Sequence, residues 1–236
     1  MIQILKKNNV LTKDGLEKGF LVLINKEENW TSFDAVKKIR NYLKIRKVGH
    51  AGTLDPFATG LLILGVGQGT KMMAELSGLS KTYRALVRFG IETDTYDRTG
   101  KTVRETAADH LELNDIEKAV EKMTGNLEQV PPMYSAKKIN GQPLYKLARK
   151  GIEIERKPVN ITIHDARVLN WKSPLLSLDL NVSKGTYIRS YAHELGKLLE
   201  VGACLDELER TSIGQYKLED SFTINEFIGY WKDLAA

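Results

Sequence analysis

A single cysteine, Cys204, stands in this 236-residue chain, and it has no partner for an internal disulfide. That fits a reducing compartment. The four histidines, His50, His110, His164 and His193, lie far apart in the chain and offer no His-Glu-x-x-His spacing. With one cysteine, a Cys-based zinc site is excluded as well. Apolar runs are short: Phe20 to Ile24 is five residues and Leu61 to Leu64 is broken by Gly65, whereas a bilayer-spanning helix needs roughly 20 apolar residues. At the amino terminus the charges of Lys6 and Lys7 follow the apolar residues instead of preceding them, the wrong order for a secretory signal. The expected location is the cytoplasm, away from membranes. At 42% hydrophobic and 28% charged residues, collagen-like, disordered and disulfide-scaffold classes are also excluded. A chain this long buries roughly 70% of its unfolded surface and needs no covalent staples.

Nucleotide-binding loops are missing too. Gly65-Val66-Gly67-Gln68-Gly69-Thr70 has threonine where a dinucleotide fingerprint needs its third glycine, and Gly69-Thr70-Lys71 reverses the Gly-Lys-Ser/Thr order of a phosphate loop. No Gly-x-Ser-x-Gly elbow occurs. Hydride transfer, ATP hydrolysis, zinc hydrolysis and elbow-type serine hydrolysis lose their sequence support.

What is present is a positive charge held in two blocks. The net charge is +5, but residues 1–50 hold 11 Lys/Arg against 5 Asp/Glu, and residues 137–157 hold 7 against 2. Two basic blocks on an otherwise acidic remainder suit a face that meets phosphates, and solvated lysine-rich faces give the same pattern.

The hydropathy pattern alternates strands and helices without a regular βαβ repeat. The apolar run Gly19 to Lys26 predicts a strand buried on both faces. Thr31 or Ser32 caps a helix with Phe33, Val36, Ile39 and Leu43 inward and Lys37, Lys38, Arg40 and Lys44 outward. Residues 81–91 alternate as a half-buried strand. Asn114 or Asp115 starts a helix that Gly125 stops. Residues 130–135 read as extended loop, and Pro143 opens a short basic helix ending at Gly151. Residues 152–171 and 175–182 read as strands, residues 186–199 as a helix, Leu208 as a helical position, and Thr223 as the cap of a last helix. The fold class is α+β, with one domain over 1–236.

One stretch carries chemistry: Gly49-His50-Ala51-Gly52-Thr53-Leu54-Asp55-Pro56-Phe57-Ala58-Thr59-Gly60. A carboxylate before proline, ringed by glycine, sits in a tight loop where backbone approaches a ligand closely. This stretch resembles the catalytic loop of the TruB family, the tRNA pseudouridine-55 synthases. The resemblance continues at Gly65 to Lys71, at Lys81-Thr82-Tyr83-Arg84-Ala85, at Lys184-Gly185-Thr186-Tyr187-Ile188-Arg189-Ser190, and at Gly202-Ala203 through Leu208-Glu209-Arg210. It covers residues 20 to about 215.

That resemblance implies a mixed, mostly antiparallel central sheet flanked by helices and an RNA-clasping insertion at about 125–157; many members continue into a C-terminal PUA domain, and in a chain ending at Ala236 no complete one is expected. It implies isomerisation of uridine to pseudouridine at position 55 in the TΨC stem-loop of tRNA, with no cofactor, no metal, no obligatory protein partner and a monomeric state. Asp55 corresponds to the catalytic carboxylate, as nucleophile or as base on the ribose. Arg189 corresponds to the guanidinium that pairs with it, and Tyr83 to the ring that stacks on the target base and takes the C5 proton. His50, Tyr187 and Leu208 correspond to substrate-pocket residues, His50 filling space left by flipped bases. Lys44, Arg46, Lys47, Lys137, Lys138, Arg149 and Lys150 are expected on the RNA backbone. The alternatives are a tRNA-binding folding chaperone and a guide-dependent RNA pseudouridine synthase.

Overall fold

Strand Gly19–Lys26 is apolar from Phe20 to Ile24 because it is covered on both faces. In a computed structural model, which describes residues 2–139 and 141–235, it pairs antiparallel with Thr59–Gly67 over eight residue pairs. Its even-numbered residues Phe20, Val22 and Ile24 join Leu62, Leu64 and Val66 in one apolar cluster with Ala35, Val36, Ile39 and Phe227. Leu21 and Leu23 join Leu61, Ile63, Leu76 and Ile213 in a second cluster. A strand that serves two clusters cannot alternate with polar residues, so the run stays apolar.

The chain divides into two compact units, Met1–Tyr83 with Leu208–Ala236, and Arg84–Glu207. Strands Lys81–Phe89 and Ala203–Ile213 each contribute residues to both. In the first unit, Gln3–Leu5 joins Gly19–Lys26 in parallel, Val48–Ala51 joins Thr59–Gly67 antiparallel, and Glu209 and Arg210 pair in parallel with Thr59 and Gly60. Helix Ser32–Leu43 covers one face, started by a capping box in which Thr31 and Asp34 satisfy each other's backbone N–H. Helix Ile224–Ala235 covers the same cluster, with Trp231 stacked on Phe20 at 5.8 Å.

In the second unit the hairpin of Val159–Lys172 and Leu175–Val182 lies between Gly125–Gln129 and the second-unit part of Lys81–Phe89. Ala85, Val87 and Phe89 are buried along the alternating strand, as its period requires. Helices Leu113–Lys122 and Ile188–Leu198 belong to this unit. Cys204 is buried there, and burial pushes its thiol up to about 11, so it stays protonated. No described helix is long and apolar enough to cross a membrane.

The mixed, mostly antiparallel α+β architecture expected from the sequence is the one observed. Several local readings are corrected. Phe33 is exposed: the buried stripe runs through Ser32, Ala35, Val36, Ile39 and Leu43, and residue 33 lies off it. The strand expected from residue 152 begins at Val159, because residues 152–158 alternate charges with Ile152 and Ile154 and end in Pro158. The basic helix is only Leu144–Ala148, with Pro143 as its cap. The helix expected from 186 starts at Ile188. Leu208 lies on strand Ala203–Ile213, not on a helix. Asn140, inside the 125–157 insertion, lies outside the described residues.

Candidate active site

The loop that carries Asp55 is held through its backbone. It leaves strand Val48–Ala51 and re-enters the sheet at strand Thr59–Gly67. Asp55 is half-buried, and its carbonyl accepts from the Ala58 N–H at 3.2 Å to close a turn. Before it, Leu54 is fixed by helix Ser32–Leu43: the Ser32 hydroxyl accepts from the Leu54 N–H at 2.9 Å and donates to the Leu54 carbonyl at 3.3 Å. After it, the Pro56 carbonyl accepts from the Asn29 N–H at 2.8 Å.

Two buried cations complete this grip. Lys26, at 0% exposure, ends the apolar strand Gly19–Lys26 and donates from Nζ to the carbonyls of Glu27 (2.8 Å), Trp30 (2.7 Å) and Pro56 (3.3 Å). Arg210, at 1% exposure, donates from Nε to the Leu61 carbonyl at 2.7 Å and from Nη2 to the Gly52 carbonyl at 3.1 Å. Gly60 must be glycine at this junction. Its φ is +103°, and a Cβ there would stand 2.4 Å from the Arg210 carbonyl oxygen. Carbonyl oxygens are neutral, so this arrangement holds the loop while leaving cationic charge beside Asp55.

Burial lowers Lys26 to about 8, against the opposing pull of Asp55, Glu28 and Asp34 and with the help of Arg210. The consequence for stability has a definite sign. Between about 8 and the ordinary 10.5 the unfolded lysine binds a proton that the folded one has released, so stability rises with pH across that window. Lys26→Met removes the titration and is expected to flatten that rise, while lowering stability throughout by stranding three carbonyls. Urea unfolding of both proteins at pH 8 and pH 10 measures it; an equal rise in the two proteins contradicts the assignment.

His50 stands on strand Val48–Ala51 opposite Leu64, half-buried. Burial and the Arg210 charge lower its ring below the usual histidine value, so it is neutral at neutral pH. Tyr83 and Leu208 are both buried, on strands Lys81–Phe89 and Ala203–Ile213. Thr211, on the second of these strands, donates its hydroxyl to the Thr82 carbonyl at 3.3 Å. His50, Asp55, Tyr83 and Leu208 thus all belong to the first unit.

Tyr187 and Arg189 belong to the second unit, at the start of helix Ile188–Leu198. Tyr187 is the cap residue, held by the buried Gln129, which donates to the Tyr187 carbonyl at 3.0 Å and accepts from its N–H at 2.8 Å. Arg189 is 3% exposed. Its guanidinium donates from Nη1 to the Thr95 carbonyl at 3.0 Å and from Nη2 to the Tyr134 carbonyl at 2.7 Å, and its Nε lies 3.5 Å from Oδ2 of Asp97. Asp97 is itself buried and accepts from the Thr99 N–H and from the hydroxyls of Thr95 and Thr99. On the next turn of the helix His193 stacks on Tyr96 at 3.9 Å.

The basic residues expected on RNA are placed less uniformly. Lys44, Arg46 and Lys47 are exposed after helix Ser32–Leu43, in the first unit. Lys138, Arg149 and Lys150 are exposed and Lys137 half-buried in the second, where the Arg149 guanidinium lies 5.4 Å over the Tyr145 ring. The sequence reading missed Lys26, Asp97 and the clamping role of Arg210. A lysine ending an otherwise apolar strand was the available signal for the first.

Comparison with known proteins bears on this arrangement. The family model described as "TruB family pseudouridylate synthase (N terminal domain)" matches residues 40–188. A Clostridium kluyveri protein named tRNA pseudouridine synthase B is 47% identical over 201 residues, covering 85% of this chain and 69% of its own length. A Ureaplasma urealyticum protein of the same name is 42% identical over 217 residues, covering 91% of this chain and 94% of its own. Among solved structures, a chain in "Crystal Structure of a Cbf5-Nop10-Gar1 Complex" superposes with a TM-score of 0.74 at 23% identity. All of this chain is covered there, against 66% of the solved one, slightly under two thirds.

Proposed function

The chain belongs to the TruB family of pseudouridylate synthases, and from that membership we propose that it converts uridine to pseudouridine in tRNA, at position 55 of the TΨC loop. In this isomerisation the N1–C1′ bond breaks, the base turns and a C5–C1′ bond forms. A proton leaves C5 and one is gained at N1, so nothing is oxidised or reduced. Asp55 acts at the ribose, as nucleophile or as base. Tyr83 stacks on the extruded base and receives the C5 proton, a face worth about 1–3 kcal/mol per stacked base. Arg189 supplies the guanidinium that pairs with the catalytic carboxylate, and Asp97 is its positioning partner. His50 fills space vacated when the base is flipped out, an opening that costs a few kcal/mol. Tyr187 and Leu208 line the uridine pocket.

The observation that carries this reading is the Asp55 loop itself. Its backbone is fixed on both sides of a half-exposed carboxylate by Ser32, Lys26 and Arg210. A carboxylate so held needs little reorganisation as charge develops on the sugar. The chain acts alone, as a monomer, without a guide RNA. Incubating the purified chain with an unmodified tRNA transcript and mapping pseudouridine tests all of this. Modification at position 55 without any added component is expected; modification elsewhere, or a requirement for added protein or RNA, overturns it.

A further inference from the structure

Helix Ser32–Leu43 presents an outward face that packing within the unit does not explain. Phe33 is 58% exposed, Lys37 and Arg40 follow it at the four- and seven-residue spacings that share one helix face, and Lys44 stands just past the helix as its left-handed C-cap, exposed. From Phe33 to Arg40 the stripe is about 10 Å long at 1.5 Å per residue. The Arg40 guanidinium lies 5.9 Å over the Phe33 ring. Beside the stripe are two open grooves. One, of about 390 Å³, is lined by Asn29, Trp30, Asp34, Lys37, Lys38 and Asn41; the other, of about 310 Å³, by Arg40, Asn41, Lys44, Ile45 and Arg46.

Charge and position both bear on what fits there. Between Asp34 and Asp55 the chain has six cations, Lys37, Lys38, Arg40, Lys44, Arg46 and Lys47, and no carboxylate. Asp34 spends its own carboxylate on the helix cap, accepting from the Thr31 N–H and hydroxyl. An exposed aromatic ring beside an uncompensated cationic row is the composition that tracks a nucleic-acid chain: cations for phosphates, a ring for a base or ribose. The same helix is bolted to the catalytic loop by the Ser32–Leu54 hydrogen bonds, so a ligand on its outer face has a fixed position relative to Asp55.

We infer that this face is a track for the phosphate chain of the RNA substrate: Lys37, Arg40 and Lys44 take successive phosphates, and Phe33, nearest the catalytic loop, supports an unpaired base. This rests on the RNA-isomerase reading above. It extends that reading by giving the RNA a path along the first unit.

The test is binding of an unmodified tRNA transcript to the full chain across a salt series, with steady-state rates alongside. Lys37→Gln/Arg40→Gln/Lys44→Gln is expected to raise Kd and KM roughly 10–100-fold at low salt, with kcat within about twofold. It should also reduce the slope of log K against log salt by about 2–3, close to 0.9 per lost phosphate contact. Phe33→Ala is expected to weaken binding at least about fivefold with an unchanged slope. Lys118→Gln/Lys122→Gln/Lys197→Gln removes equal charge from helices Leu113–Lys122 and Ile188–Leu198 and should leave the slope unaltered. An unaltered slope in the first variant, or the same loss in the control variant, overturns the track. Should the triple variant melt early, Arg40→Gln alone is read for a slope change of about one. If the slopes shift as expected but the wild type makes no pseudouridine, the track stands as a nucleic-acid surface and the isomerase reading fails.

Discussion

Asp55→Asn is expected to reduce pseudouridine formation at least about 10⁴-fold, the loss typical of removing a reacting group from an enzyme, while RNA affinity and thermal stability stay close to wild type. The substitution keeps the shape of the side chain, removes its charge and turns one acceptor oxygen into a donor NH2. The loop has little reason to move, because Ser32, Lys26 and Arg210 hold the backbone of Leu54, Pro56 and Gly52 and make those bonds to no part of the carboxylate. A second readout accompanies the first. The Asp55 charge raises Lys26, so its removal should lower that lysine further below about 8 and extend the window of rising stability to lower pH, its upper edge staying near 10.5. Release of tritium from tRNA labelled at uridine C5, followed in single turnover, measures the catalytic effect. Full release by the variant would remove Asp55 from the mechanism.

Arg189→Met is expected to destabilise the protein by about 3–5 kcal/mol and to abolish activity. The stability loss follows from what the guanidinium leaves behind: a carboxylate on Asp97 that is 4% exposed, and the carbonyls of Thr95 and Tyr134. Arg189→Lys is expected to recover only part of it, because one ammonium cannot reproduce the fork that spans two carbonyls and a carboxylate. The double variant Arg189→Met/Asp97→Asn separates structure from chemistry. Without a buried unpaired charge it should regain much of the stability, a non-additive result, and it should remain inactive. Equal stability losses in the single and double variants would show that the Arg189–Asp97 pair is not what the fold depends on. Recovered activity in the double variant would show that Arg189 serves only to hold Asp97.

The parts of this molecule that were legible in its sequence are those specified by neighbours in the chain. The Thr31 capping box, the alternation that buries Ala85, Val87 and Phe89, and the two-sided strand Gly19–Lys26 depend on spacing within about ten residues. Strand Ala203–Ile213 was not legible as a strand. Its middle, Leu205 to Arg210, consists mostly of good helix formers, and pairing with distant strands overrides that preference. Phe33 was misplaced because an apolar residue near a helix start looks inward in a pattern count, although the buried stripe begins one residue earlier, at Ser32. The buried cations are a different case. Among the described residues Lys26 and Arg210 bond only to backbone carbonyls, which every residue possesses, so no local pattern of side chains announces them. The family motifs singled out Asp55 and Arg189 but not Asp97, whose role is visible only once the turn from Thr95 to Thr99 is seen folded around its carboxylate.

The clamp on the Asp55 loop also sets an order of events during synthesis. The loop and Lys26 leave the ribosome early, whereas Arg210 lies near the other end of the chain, and the first unit itself is closed by residues from Leu208 onward. At about 5–20 residues per second, roughly 10–30 s pass between translation of Asp55 and translation of the arginine that fixes Gly52. Through that interval the nascent chain carries its carboxylate on a half-anchored loop. The backbone clamp on the loop is therefore complete only with the strand that brings Arg210.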